Sequence, residues 1–400
     1  MDYDSLLSQR STGIDGSGIR RVFELGAKLK DPINLSIGQP DFAVPEVMRT
    51  AAKDAIDAGA NGYTLSQGTA EVRGRTAAHL RADLGWDLHP DLPAPDQTGG
   101  TGLMMTSGTS GGLMLAAMAL LDPGDEFIIP DPYFVVYPNL AKMIGARAVT
   151  CDTYPDFLLT AERVEPLITD RTKFVLLNAP GNPSGVVPTQ AQCAELLELC
   201  RDRGVILLSD EIYDEFVFSD AVEPSPRGEP GSRCPSPARC DGAEETVLLI
   251  RGFGKTYGCT GWRMGYAAGP GPLLREMGKL QQYSFVCAPS IAQAGCVAAF
   301  DADITAHVAD YQRRRDMVLD ILGAVTEVAA PGGAFYVFPK VPESLGLTGT
   351  QLVERAIEQN VLCIPGGVFS SRDTHLRLSL SAPEEKLRRG VEILAELMRG

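Results

Sequence analysis

Val205-Ile206-Leu207-Leu208-Ser209-Asp210-Glu211-Ile212-Tyr213 runs from four apolar residues straight into two acids. An apolar run without alternation fits a strand buried on both faces, and such strands belong to sheets covered by helices on both sides. An acid at the end of such a strand is costly to bury without a partner. Three further runs read the same way: Phe127-Ile128-Ile129, Lys173-Phe174-Val175-Leu176-Leu177 and Thr246-Val247-Leu248-Leu249-Ile250. Between them lie stretches of helical periodicity, such as 190–203. Strand and helix alternate, which predicts an α/β fold: a mostly parallel sheet sandwiched by helices.

The chain has 400 residues, more than one compact core usually holds, so two domains are expected. The texture changes after about Cys287. Arg- and Asp-rich helical sequence over 304–322 precedes Gly333-Ala334-Phe335-Tyr336-Val337-Phe338-Pro339 and Leu376-Arg377-Leu378-Ser379-Leu380, which read as strands. The last stretch, 384–398, is amphipathic and helical. We therefore expect an N-terminal arm over 1–18, a large domain over 45–285, and a smaller α+β domain built from both termini (19–44 with 286–400). Residues 220–244 hold five prolines and three glycines and read as an exposed insertion.

With apolar residues at 44 %, charged residues at 22 % and a formal net charge of -15, the composition is that of a globular protein and argues against nucleic acid or an anionic membrane surface as partner, while a local basic pocket could still bind an anion. The N-terminus lacks the basic and apolar regions of a signal peptide, and the best apolar stretch, 113–121, is too short to span a bilayer. Nine scattered cysteines suggest reduced thiols, hence a cytoplasmic protein. Cys193 with Cys200, and Cys234 with Cys240, lack zinc-ligand spacing, so no metal is expected.

Four segments sit where a strand ends or a helix begins, the place where open α/β sheets bind ligands. Thr106-Ser107-Gly108-Thr109-Ser110-Gly111-Gly112 offers free N–H groups and hydroxyls to an anion such as phosphate, although a capped flexible turn explains it equally well. Asn178-Ala179-Pro180-Gly181-Asn182-Pro183-Ser184-Gly185 is a rigid turn that can aim an amide at a ligand, or simply a turn. Asp210 suits a heterocyclic N–H or a helix cap. Finally, Gly252-Phe253-Gly254-Lys255-Thr256-Tyr257 places a lysine after a buried strand, where desolvation can make it nucleophilic; Arg263, eight residues on, can clamp a phosphate. Taken singly, a solvated lysine and a surface arginine are the blander readings.

Taken together, the four segments resemble the fold-type I pyridoxal-phosphate enzymes, and within them the class I/II aminotransferases. The resemblance runs from Ile37-Gly38-Gln39-Pro40-Asp41-Phe42 to Arg377 and rests on Ser209-Asp210-Glu211-Ile212-Tyr213, Asn182-Pro183-Ser184-Gly185 and Lys255-Thr256 with Gly261-Trp262-Arg263. It implies that Lys255 carries pyridoxal 5'-phosphate as a Schiff base and that Asp210 pairs with the protonated ring nitrogen. It assigns Tyr213 and Asn182 to the phenolic oxygen, and Gly108, Thr109, Ser110 and Arg263 to the phosphate. Phe134 would stack on the ring, and Tyr63 would reach the phosphate of the neighbouring subunit of a homodimer. Arg377, beside the Gly38 backbone, would grip the substrate α-carboxylate. One departure stands out: where many members carry a hydroxyl three residues before the lysine, this chain has Gly252.

The implied reaction moves an amino group from an L-α-amino acid to a 2-oxo acid, with Lys255 shuttling the proton and Asp210 keeping the ring an electron sink. No histidine is required, although His375 lies close enough to Arg377 in sequence to line the pocket. Ser110 stands where one dicarboxylate-specific subgroup has a lysine, and Ile364-Pro365-Gly366-Gly367-Val368-Phe369-Ser370-Ser371-Arg372-Asp373-Thr374-His375 is similar to broad-specificity members. The expectation is therefore aspartate-like or broad specificity. A lyase or cyclising enzyme of specialised metabolism would use the same Lys255 and Asp210. A ligand-responsive module without catalysis is a third reading, against which stands the intact lysine.

Overall fold

A computed structural model of the chain describes residues 1, 3, 5–14, 16, 18, 22, 24, 26, 29–88, 100–224, 226 and 231–400. Its centre is a seven-stranded sheet. In chain order the strands are β1 (Thr101–Ser107), β2 (Glu126–Asp131), β3 (Arg147–Asp152), β4 (Thr172–Asn178), β5 (Ile206–Asp210), β6 (Val247–Gly252) and β7 (Met264–Pro270). Across the sheet they run β1-β7-β6-β5-β4-β2-β3, and only β7 is antiparallel to its neighbours. Each of the four apolar runs is one of these strands. Their side chains supply both faces: Leu207, Val175 and Leu249 enter one core, and Leu208, Leu176 and Ile250 the other.

Three strands escaped the sequence reading. β1 has only a three-residue apolar run, Leu103-Met104-Met105, between polar residues and glycine, β7 is rich in glycine and alanine, and β3 is a partly exposed edge. The smallness of β7 has a cause. A Cβ at Gly265 would stand 2.8 Å from both the Gly108 carbonyl carbon and the Thr109 nitrogen, so only glycine lets β7 pass beneath the turn after β1.

Helices cover the sheet and start where their sequences dictate. Ala70–Leu84 is capped by the Thr69 hydroxyl and ended by Gly85, and Gln190–Arg203 opens with a Thr189–Gln192 capping box and ends at Gly204. Within the expected arm, Gln9–Thr12 forms a short helix against Val136–Ile144.

A second core gathers Ile33 and Leu35 with the helices Thr305–Leu322, Gly349–Glu358 and Glu384–Arg399 around a small antiparallel sheet. In that sheet Leu376–Ser379 lies between Tyr336–Val337 and Ile364–Pro365. The run expected as one strand over 333–339 forms only Tyr336–Val337; its start turns instead, with Ala334 at φ 55°. Tyr213, Phe216 and Phe218 cross from the large sheet into this second core.

The insertion needs correcting. Residues 225 and 227–230 lie outside the described residues, but 234–239 are buried rather than exposed. Trp86 donates its indole N–H to the Ala238 carbonyl at 3.0 Å, and Arg239 pairs with buried Asp83 at 2.9 Å. The proline-rich composition marks an irregular backbone, and it says nothing about which side chains find buried partners.

Candidate active site

At the C-terminal ends of β4, β5 and β6 opens a cavity of about 530 Å³. It is lined by Gly38, Gly108, Thr109, Ser110, Phe134, Asn182, Asp210, Tyr213, Lys255, Arg263 and Arg377, which is every expected site residue except Tyr63. Tyr63 lies away from it with 88 % of its surface exposed. Tyr137, Asn178 and Tyr336 also line the cavity, and the sequence reading missed them.

Each missed residue had a local signal. Tyr137 follows Phe134 by three positions as a helix begins, so both reach the same side. Its hydroxyl donates to Asp210 Oδ2 at 2.9 Å. Asn178 is the register partner of Asp210 on the adjacent strand, and its amide donates to the Asp210 carbonyl at 3.0 Å. Asn178 Oδ1 in turn accepts the Asn182 N–H at 2.8 Å, which pins the 178–185 turn. Tyr336 shares a hydrogen bond of 3.1 Å with the Tyr213 hydroxyl.

The floor of the cavity holds an unmet acceptor. Asp210 is 2 % exposed, and among the described residues its Oδ1 has no hydrogen-bond partner. Burial pushes its carboxyl up to about 6, with the Tyr137 hydrogen bond pulling the other way. A ring N–H⁺ in the cavity would satisfy that oxygen and restore the charge. The rim holds an unmet donor set. Arg377 is 2 % exposed, gives Nη1 to Asn182 Oδ1 at 3.2 Å and Nη2 to the Ser36 carbonyl at 3.0 Å, and among the described residues leaves Nε without a partner. Its guanidinium lies between the rings of Tyr336 and Phe369, at 4.5 and 4.8 Å. Among the described residues no carboxylate pairs with it.

Lys255 stands between these two groups. Its Nζ donates to the Gly38 carbonyl and lies 5.8 Å over the Phe335 ring. Burial first, then the charges of Arg377 and Arg263, lower its pKa from 10.5 to about 8. A lysine so placed has a usable neutral fraction near pH 7.

The helix Gly108–Leu120 points its first N–H groups into the cavity, and its cap residue Ser107 makes no side-chain cap bond. Gly108 takes φ 69°, and a Cβ there would stand 2.6 Å from Arg263 Nη2. The guanidinium therefore lies directly over the helix start, and the pair forms a cradle for an anion. At Gly252 a Cβ would meet Thr109 Cγ2 at 3.1 Å and Ile212 Cδ1 at 3.0 Å. A serine there would need Thr109 and Ile212 to give by a few tenths of an ångström, so the site is tight for the hydroxyl found in many members.

His375 does not line this cavity. It stacks on Phe338 at 4.9 Å and 13° in a separate hollow, where burial lowers its pKa to about 4. Sequence proximity to Arg377 misled because its ring turns into the Phe157–Phe338 cluster instead.

The residues fit pyridoxal phosphate: a buried carboxylate with one oxygen unfilled among the described residues for a ring N–H, a helix start with an arginine for a phosphate, and a depressed lysine between them. The family model for aminotransferase class I and II matches residues 30–394. The chain belongs to that family. A probable aspartate aminotransferase of Methanocaldococcus jannaschii is 34 % identical over 98 % of this chain and 100 % of its own length. Aromatic-amino-acid aminotransferase 2 of Thermococcus litoralis is 29 % identical over 98 % of each. The structure of Thermus thermophilus aspartate aminotransferase with maleate superposes with a TM-score of 0.87 at 31 % identity, covering 98 % of this chain and 99 % of that one. The protein is thus a pyridoxal-phosphate-dependent aminotransferase of fold type I, moving an amino group between an amino acid and a 2-oxo acid. No helix among the described residues is long and apolar enough to cross a membrane, and no cluster of His, Cys, Asp or Glu among them can hold a metal ion.

Proposed function

We propose that this aminotransferase works on L-α-amino acids with aspartate-like or broad side-chain specificity. The observation that carries the reading is Arg377, a buried guanidinium with no acid beside it, opening on the same cavity as Lys255. A substrate α-carboxylate is the anion it lacks, and a bidentate contact would fix the α-carbon near Nζ. Relatives named for aspartate and for aromatic amino acids support a pocket that accepts both kinds.

The cofactor, when bound, supplies a ring that withdraws electrons from the substrate α-carbon. The chain's residues do the rest. The helix start at Gly108, Thr109 and Ser110, with Arg263, holds the phosphate. Asp210 Oδ1 accepts the ring N–H and keeps that proton in place. Phe134 covers one ring face, and Tyr213 and Asn182 hold the phenolic oxygen. Lys255 Nζ would hold the cofactor, and its amine would carry the proton from the substrate Cα to the cofactor carbon that takes up the amino group. Gly38 places a backbone group beside Arg377.

We also infer a cytoplasmic homodimer. The nine cysteines are scattered along the chain, as suits a reducing compartment. Tyr63, Leu65, Tyr283, Phe285 and Val286 leave large apolar groups exposed, and Gln281 ties the Ser66 carbonyl to the helix that ends at Tyr283. A partner's Tyr63 would reach the phosphate cradle across this face. We divide the chain into a large domain over 45–285 and a small domain of 19–44 with 286–400; the second core supports the split from Ile304 onward, whereas Ala288, Ala292, Cys296 and Ala299 pack in the core of the large sheet.

The test is a half-reaction screen. Holoenzyme is mixed with single amino acids, and the loss of the visible cofactor band is followed. Conversion by aspartate, aromatic amino acids or both is expected. Release of oxo acid with no conversion of the cofactor would instead indicate a lyase. Sedimentation of the active form as a monomer would remove the role of Tyr63.

A further inference from the structure

Behind the floor of the active site lies a buried charge cluster that the reaction does not use. Arg251 sits on β6, four residues before Lys255, and is 1 % exposed. Its guanidinium donates to Asp83 Oδ2 at 2.9 Å and to Glu211 Oε2 at 2.8 and 3.0 Å, and it reaches Asp214 Oδ2 at 3.1 Å. The other Glu211 oxygen accepts the hydroxyls of Ser209 at 2.7 Å and Ser236 at 2.6 Å. Asp83 is also held by Arg239, at 2.9 and 3.2 Å. Ser236 and Arg239 belong to the 220–244 segment, so that segment closes the cluster from outside.

The placement of this cluster matters. Alternation along the chain turns Asp210 toward the cavity and Glu211 to the other side of the sheet. Ile250, next to Arg251, is the register partner of Asp210 and takes the Glu211 N–H at 2.9 Å. The Arg251–Glu211 pair therefore bridges β5 and β6 at the level from which Asp210 and Lys255 project. A multidentate buried pair with its remaining lone pairs filled is rigid. A shift of about 1 Å between reacting groups can cost roughly 10²-fold in rate.

We propose that Arg251 is a positioning residue: it fixes the end of β5 that carries Asp210 against the turn after β6 that carries Lys255, and Ser236 and Arg239 of the 220–244 segment complete its setting. The proposal rests on the assignment of Asp210 and Lys255 to the cofactor.

The test uses holoenzyme of Arg251→Lys, Arg251→Met and Ser236→Ala. Three quantities are read: the pH midpoint of the visible band of the Lys255-bound cofactor, the half-reaction rate constant with one amino acid, and the melting temperature. Arg251→Lys should move the midpoint by about half a pH unit or more and slow the half-reaction roughly tenfold or more. Ser236→Ala should move both in the same direction by less. Variants that melt lower yet keep the wild-type midpoint and rate would show a merely structural cluster and overturn the proposal. If the Arg251 variants do not fold, Ser236→Ala decides alone, and an unmoved midpoint and rate overturn it. Borohydride reduction of the wild type separates this from the underlying assignment. Trapping at Lys255 with unmoved midpoints sinks the positioning role only, whereas trapping at another lysine sinks both.

Discussion

Asp210 and Glu211 are adjacent acids at the end of one strand, both 2 % exposed, and their surroundings are opposite. Glu211 meets Arg251 and two serine hydroxyls. Asp210 has one tyrosine and, among the described residues, one oxygen without a partner. The same contrast separates the arginines: Arg251 and Arg239 are matched to carboxylates, while Arg377 is buried with none among the described residues. Saturated charges hold a structure together; unsaturated ones cost stability and persist where a ligand completes them. The two sides of the sheet's edge thus divide the work between fold and chemistry.

Substitutions should expose that division. The largest effect is expected at Lys255: Lys255→Ala should lower amino transfer by roughly 10⁴-fold, read as the half-reaction rate, with little change in melting temperature. Arg377→Met should lower kcat/KM for α-amino acids by about 2–4 kcal/mol, roughly 30- to 1,000-fold, while the apoprotein melts no lower than wild type. On the saturated side the sign of the stability effect reverses. Arg239→Met leaves Asp83 with Arg251 but without its second guanidinium, and should destabilise the protein by roughly 1–3 kcal/mol in denaturant unfolding. An Arg239→Met protein as stable as wild type, or an Arg377→Met apoprotein much less stable, would break the comparison.

Asp210 sharpens it with pH. Burial holds its folded-state carboxyl near 6 instead of 3.8. The folded chain then binds that proton more tightly than the unfolded chain, so this group costs stability as pH rises from about 4 to 6. Asp210→Asn carries no charge to bury. Its apoprotein should match wild type below about pH 4 and exceed it above about pH 6, by up to about 3 kcal/mol, while amino transfer collapses. Equal pH profiles of unfolding would show that the carboxylate is not strained in the apoprotein.

Much of this was legible in the sequence, and unevenly so. The four central strands announced themselves because burial on both faces demands continuous apolar residues. β7 did not, because the anion cradle needs a glycine beneath it, as Gly265 shows, and β1 did not because its apolar run is only Leu103-Met104-Met105. The cavity residues were found through motifs whose members are close in sequence. Tyr137 and Tyr336 were missed because their roles depend on packing: one donates to Asp210 from a neighbouring helix, and the other meets Tyr213 from the second core. The 220–244 segment was misjudged for the same reason. Composition reported its prolines, while its contribution to the fold lies in Ser236 and Arg239, whose partners Glu211 and Asp83 are distant in sequence.

The central claim is that Lys255 is the amine that holds the cofactor between Asp210 and Arg377. Borohydride reduction of the holoenzyme, followed by peptide mapping, tests it most directly. The account predicts one pyridoxyl group per chain, on the peptide containing Lys255, and none once a reactive amino acid has first converted the cofactor. A label on a different lysine, or a visible band that survives reduction unchanged, would contradict it.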